Sequence, residues 1–132
     1  MIQSVMSRVL LVEPDNEMAT QWLLQYYASR KDYFSLEEIC RRGVNYHPKD
    51  LIYPYVLGMI MLERNNNTEA LEVLDRGIRL RSEDTRLALV SDAFTVKGDV
   101  FYKMGKHADA FLQYDSALVY NKDNVLCLNN YA

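Results

Sequence analysis

Apolar positions along this chain recur at the three-and-four spacing of a helix, in paired segments separated by short polar turns. Leu23 and Tyr27, then Leu36, Ile39, Cys40, Gly43 and Val44, flank the turn Arg30-Lys31-Asp32. Leu57 and Met61, then Ala70, Leu71, Leu74 and Ile78, flank Arg64-Asn65-Asn66-Asn67. Phe94, Gly98 and Phe101, then Ala110, Tyr114, Ala117 and Leu118, flank Met104-Gly105-Lys106. Such spacing lines one face of a helix, so each block predicts two helices folded back on each other. The block ends recur too: Leu10-x-Val12-x-Pro14-x-Asn16, Val44-x-Tyr46-x-Pro48-x-Asp50 and Ile78-x-Leu80-x-Ser82-x-Asp84 lie 34 residues apart, and Leu118-x-Tyr120-x-Lys122-x-Asn124 follows after 40. A fixed period of this length predicts a solenoid, in which each unit buries its apolar face against its neighbours.

Aligned on these ends, the chain is one repeat domain. It divides into a half repeat at residues 1–16, repeats at 17–50, 51–84 and 91–124 with an insertion at 85–90, and a partial repeat at 125–132. Ile2, Met6, Val9, Leu10 and Val12 stand where Leu36, Cys40, Gly43, Val44 and Tyr46 stand one period later, which predicts a second helix without its front partner. Leu128, Tyr131 and Ala132 stand in the places of Phe94, Lys97 and Gly98, which predicts a front helix without its second. Solenoids need polar capping helices, so the segment is expected to come from a longer array, and its complementary ends to be capable of head-to-tail self-association. With no Gly or Pro between Arg81 and Lys97, the insertion is expected to lengthen the third front helix to residues 83–104, about 33 Å. Leu87, Val90, Phe94 and Phe101 would then share one stripe.

Leu57-Gly58-x2-Met61 with Ala70-x3-Leu74, and Gly98-x2-Phe101 with Ala110-x3-Tyr114-x2-Ala117, match in volume and spacing the W-x2-L-G-x2-Y…A-x3-F…A…P pattern. On these residues the chain resembles the tetratricopeptide repeat (TPR) family over nearly its whole length. It departs from that pattern at Lys97 for the Leu before the Gly, Leu24 for that Gly, Leu36 for the small Ala and Pro54 for the large aromatic. The resemblance implies an all-α, right-handed solenoid of antiparallel helix pairs acting as a non-catalytic protein-interaction scaffold. It implies further that the front helices line a concave groove for a peptide or protein segment. The groove would present Met18, Gln21 and Gln25, then Ile52, Tyr55 and Met59, then Asp92, Thr95, Asp99 and Tyr102, then Asn129. Cochaperone members that grip a C-terminal carboxylate use an inward Lys followed four residues later by Asn. Here the matching pairs are Gln21/Gln25, Tyr55/Met59 and Thr95/Asp99, so that clamp is absent.

Composition narrows the partner classes. Net charge is −3, without the clustered basic excess of nucleic-acid binders. The most apolar run, residues 51–62, is interrupted by Pro54 and Gly58 and is too short to span a bilayer, so no membrane insertion by this segment is expected. It is apolar on all sides, and its own partner helix and neighbours cannot cover every face. A soluble segment is expected, and the sequence leaves its compartment unknown, cytoplasmic or periplasmic. Phosphate-loop, dinucleotide, zinc-protease and nucleophile-elbow motifs are all missing from the sequence, and Cys40 and Cys127 have neither metal-site nor disulfide spacing. No catalytic residue, metal or cofactor is expected. Cys40 reads as core, and His47 and His107 as surface or turn residues. Asp92 and Asp99, two turns apart on one helix, read as a solvated or ligand-facing stripe rather than an acid/base pair. The alternative is a regulatory or sensor segment of a larger enzyme or signalling protein.

Overall fold

The computed structural model describes residues 1–131; Ala132, which the repeat alignment puts in the place of Gly98, lies outside them. The described residues form helices without any strand: α1 (Ile2–Val12), α2 (Glu17–Ser29), α3 (Tyr33–Tyr46), α4 (Ile52–Glu63), α5 (Asn67–Leu80), α6 (Leu87–Lys103), α7 (His107–Tyr120) and α8 (Val125–Tyr131). Each helix packs on the next in the chain. The front helices also touch, α4 against α6 and α6 against α8, so the pairs stack in sequence order as a TPR-like solenoid.

The three turns within pairs use one device. Lys31, Asn65 and Gly105 have φ of 57°, 59° and 79°, the left-handed conformation that ends a helix and reverses the chain. In each turn the following amide reaches back five residues: Asp32 N to Tyr27 O (3.0 Å), Asn66 N to Met61 O (2.8 Å) and Lys106 N to Phe101 O (2.9 Å). Side-chain caps start several helices. Asn16 Oδ1 accepts from Ala19 N (2.8 Å), Asp32 Oδ1 from Ser35 N (3.2 Å) and Asn124 Oδ1 from Cys127 N (3.1 Å).

Within each pair a large residue fills the space left by a small one. A Cβ on Gly58 would stand 2.7 Å from Leu74 Cγ, and one on Gly98 would stand 2.4 Å from Tyr114 Cε1. In the first pair the sizes are exchanged, with Leu24 and Cys40 at the same two positions and both buried, which conserves volume. Pro54 is the third residue of α4, inside the first turn, where a missing N–H costs nothing. Its ring occupies the space a Gly77 Cβ would need, and the aromatic bulk it lacks comes from fully buried Tyr53, which lies against Gly43.

The insertion does not build the helix the spacing predicts. α6 starts at Leu87, not residue 83, and has 17 residues, about 25 Å. Ser82 stops an earlier start: its hydroxyl accepts from Asp84 N (3.1 Å) and its carbonyl from Thr85 N (3.1 Å), local bonds that compete with helix. Ser82 N also donates to Lys49 O (3.0 Å), tying this loop to the preceding one. The stripe therefore begins at buried Val90, while Leu87 is left 61% exposed. No described helix is long and apolar enough to cross a membrane.

Candidate functional site on the front helices

The eleven groove positions do not share one environment. On α2, Met18, Gln21 and Gln25 are exposed, and Gln21 bonds only to Glu17 of its own helix (3.2 Å). On α4, Ile52, Tyr55 and Met59 are half-buried against the main core. On α6, Asp92 and Asp99 are half-buried and Tyr102 is exposed. Asn129 on α8 is exposed. Thr95 does not face a groove. It is fully buried, its hydroxyl donates to Ser91 O (3.0 Å), and it meets Cys127 where α8 packs over α6.

The structure brings Tyr55, Asp92 and Asp99 together. Burial raises the Tyr55 phenol above its ordinary pKa, and the two carboxylates, Asp92 then Asp99, add to the rise. Both carboxylates are held by neutral donors. Asp92 accepts from Asn124 Nδ2 (2.9 Å). Asp99 accepts from Tyr114 Oη (2.6 Å) and from Asn130 Nδ2 (2.9 and 3.1 Å to its two oxygens). Burial pushes the Asp99 carboxyl above the usual aspartate range, against the lowering effect of the bonds from Tyr114 and Asn130.

Asn124 organises this corner. Its amide also donates to Ser91 Oγ (2.8 Å), which donates to Ala117 O (2.7 Å), while its Oδ1 caps α8. At the other end of α6 lies a shallow cavity of 460 Å³, walled by Leu62, Glu63, Asp99, Tyr102 and Asn130. Lys103 stands at its rim, with Nζ donating to Leu62 O (3.1 Å) at the end of α4.

Sequence reasoning missed the amide holders: Asn124 recurs with Asn16, Asp50 and Asp84 at the repeat ends, which marks a cap but not a carboxylate holder, and Asn130 has no period to betray it. It also missed Trp22, Tyr26 and Arg30 on α2, which are stacked in series: Trp22 on Tyr26 at 5.0 Å between ring centroids, and the Arg30 guanidinium 4.8 Å from the Tyr26 centroid. The four-residue spacing of these three was the available signal.

Elsewhere the cysteines are buried and the histidines stack on tyrosines, with His47 Nε2 buried and without a hydrogen-bond partner among the described residues. Cys40 is fully buried, and burial, reinforced by Glu37 and opposed by Arg41, pushes its thiol up to about 12. Cys127 is buried and donates its thiol to Tyr114 O (3.4 Å). His107 stacks on Tyr102 at 4.3 Å and His47 on Tyr53 at 6.0 Å. Among the described residues no group of His, Cys, Asp and Glu is placed to hold a metal ion.

The sequence matches no protein-family model and no curated protein. Solved structures do match. A crystal structure of MamA superposes with a TM-score of 0.80 at 19% identity, covering 98% of this chain and 72% of that one. The N-terminal domain of stress-induced protein-1 (STI-1) from C. elegans gives 0.71 at 15%, covering 85% and 89%. The Arabidopsis OM64 TPR domain gives 0.72 at 11%, covering 86% and 89%. Likeness at such identities is likeness of fold, and it agrees with the stacked helix pairs and their glycine contacts: the chain has the tetratricopeptide-repeat fold.

Proposed function

We propose that this chain is a non-catalytic interaction scaffold whose front-helix face takes a peptide or protein segment between α4 and α6. One observation carries the reading. Helix α4 is apolar around its whole circumference, yet Ile52, Tyr55 and Met59 are only half covered by the helices beside it. Apolar and aromatic side chains left half-open next to oriented carboxylates and the exposed Tyr102 suit an extended or helical segment anchored on the two tyrosines.

Selection of a displayed random dodecapeptide library on the protein tests this. Binders should emerge, and Tyr55→Ala with Tyr102→Ala should weaken them by about 1–2 kcal/mol per tyrosine. Selected peptides that bind the double variant unchanged would place their site elsewhere and remove the groove.

A further inference from the structure

Resting on that reading of the groove, we infer that the segment it takes is basic, with a Lys or Arg side chain seated between Asp92 and Asp99 and against the Tyr55 ring. The two aspartates are seven residues apart on α6, two helical turns and about 10.5 Å along one face. Helix α4 packs on α6, its Tyr55 lies within the electrostatic reach of both carboxylates, and the same face supplies Ile52 and Met59.

None of the surrounding cations ion-pairs with the two aspartates. Lys97 pairs with Asp75. Arg81 bonds to Ile78 O (2.7 Å) and lies over the Tyr120 ring. Lys103, one turn after Asp99, holds its ammonium on the Leu62 carbonyl and makes no ion pair. Arg64 and Arg41 hold Glu37 on α3. Among the described residues, then, neither Asp92 nor Asp99 has an ion-pair partner. Asn124, Asn130 and Tyr114 aim the two carboxylates without neutralising them.

A half-buried carboxylate with no counter-charge carries an uncompensated desolvation cost. An arriving cation relieves that cost, gains the face of an aromatic ring and can lay its methylene stem along Ile52 and Met59. An acidic segment meets Asp92, Asp99 and the cavity-wall Glu63, against the single ammonium of Lys103 at the rim. The charge pattern therefore selects a basic partner over an acidic or purely apolar one.

Five pools of synthetic fluorescein-labelled dodecapeptides, with Lys, Arg, Glu, Leu or Gln fixed at a central position, decide the question by fluorescence anisotropy. The Lys and Arg pools should bind at least roughly tenfold tighter than the Glu pool, and that margin should shrink as NaCl rises from about 50 to about 500 mM. Asp92→Asn with Asp99→Asn should erase the margin. Asn keeps an acceptor oxygen for Asn124, Asn130 and Tyr114, and the salt series on the unaltered protein decides the matter if that variant fails to fold. Binding of the Leu or Glu pool as tight as the Lys and Arg pools, yet lost in Tyr55→Ala, removes the basic partner and leaves the groove standing. A margin that ignores salt, or that survives both substitutions, also overturns the inference. Failure of all five pools to bind sinks both it and the groove.

Discussion

Tyr53 on α4 and Tyr114 on α7 solve the same packing problem with opposite treatment of their hydroxyls. Each ring is almost wholly buried against a glycine of a neighbouring helix, Tyr53 on Gly43 and Tyr114 on Gly98. Among the described residues the Tyr53 hydroxyl has no hydrogen-bond partner. The Tyr114 hydroxyl bonds to Asp99 at 2.6 Å. Around Tyr53 the solenoid is held by shape: Pro54 fits Gly77, Leu74 fits Gly58, and an unpaired phenol is tolerated to keep the fit. Around Tyr114 shape is joined by two polar clusters, Ser91 with Asn124 and Asp92, and Tyr114 with Asp99 and Asn130. The groove lies on the seam between these two regions, so its apolar side is a by-product of packing and its acidic side is oriented by hydrogen bonds.

The largest effect should come from breaking the shape-held side. Leu74 is fully buried on Gly58, and Leu74→Ala removes that knob with little room for collapse between two stacked repeats. Urea unfolding should report a loss of about 3 kcal/mol. Next come the polar clusters. Asn124→Ala strips two donor bonds and the cap of α8 in one step, a loss of about 2 kcal/mol. Hydrogen exchange should show it concentrated in α8, and a loss spread evenly over all helices would mean that Asn124 does not anchor that end.

One substitution made at two sites sharpens the comparison. Tyr114→Phe leaves Asp99 one donor short and should cost about 1.5 kcal/mol. Tyr53→Phe deletes a buried oxygen that bonds to nothing and should stabilise by about 1 kcal/mol. Equal signs for the two changes would erase the distinction between the regions.

How much of this was legible in the sequence follows the same seam. The helix pairs, their turns and the exchanged glycines were readable, because burial between stacked helices imposes a period and Lys31, Asn65 and Gly105 recur with it. Thr95 and Tyr102 show where the period stops helping. They are seven apart on one face of α6, but α8 covers the Thr95 end and leaves the Tyr102 end open, and no spacing within α6 records which end a neighbour reaches. The start of α6 was hidden for a local reason: Ser82 turns the chain with its own side chain and carbonyl, with neither Gly nor Pro to mark the place. Asp92 and Asp99 were visible as a stripe, but the amides that orient them come from α8 and the loop before it, 31 and 32 residues away.

The smallest predicted effect lies in the pH dependence of the Asp99 cluster. Asp99 has a folded-state pKa raised above the ordinary aspartate value of 3.8, mainly by burial. The folded protein therefore binds that proton more tightly than the unfolded chain does. The penalty of the buried charge is complete at neutral pH, fades as pH falls through the folded value, and is gone below the unfolded one. Glu37 runs the other way. Burial works to raise it, but the hydrogen bonds from Arg41 and Arg64 outweigh that and hold it below its ordinary 4.5, so its contribution is lost as pH falls. Comparing the protein with Asp99→Asn cancels Glu37 and isolates the Asp99 cluster. Relative to that variant, the unaltered protein should gain stability in urea unfolding between neutral pH and about pH 4. Tyr114→Phe, by removing a bond that favours the ionised form, should move the Asp99 carboxyl titration seen by NMR to still higher pH. A difference from Asp99→Asn that stays flat, or that shrinks as the solution is acidified, would show that the carboxylate is solvated and that shape alone holds this end of the solenoid.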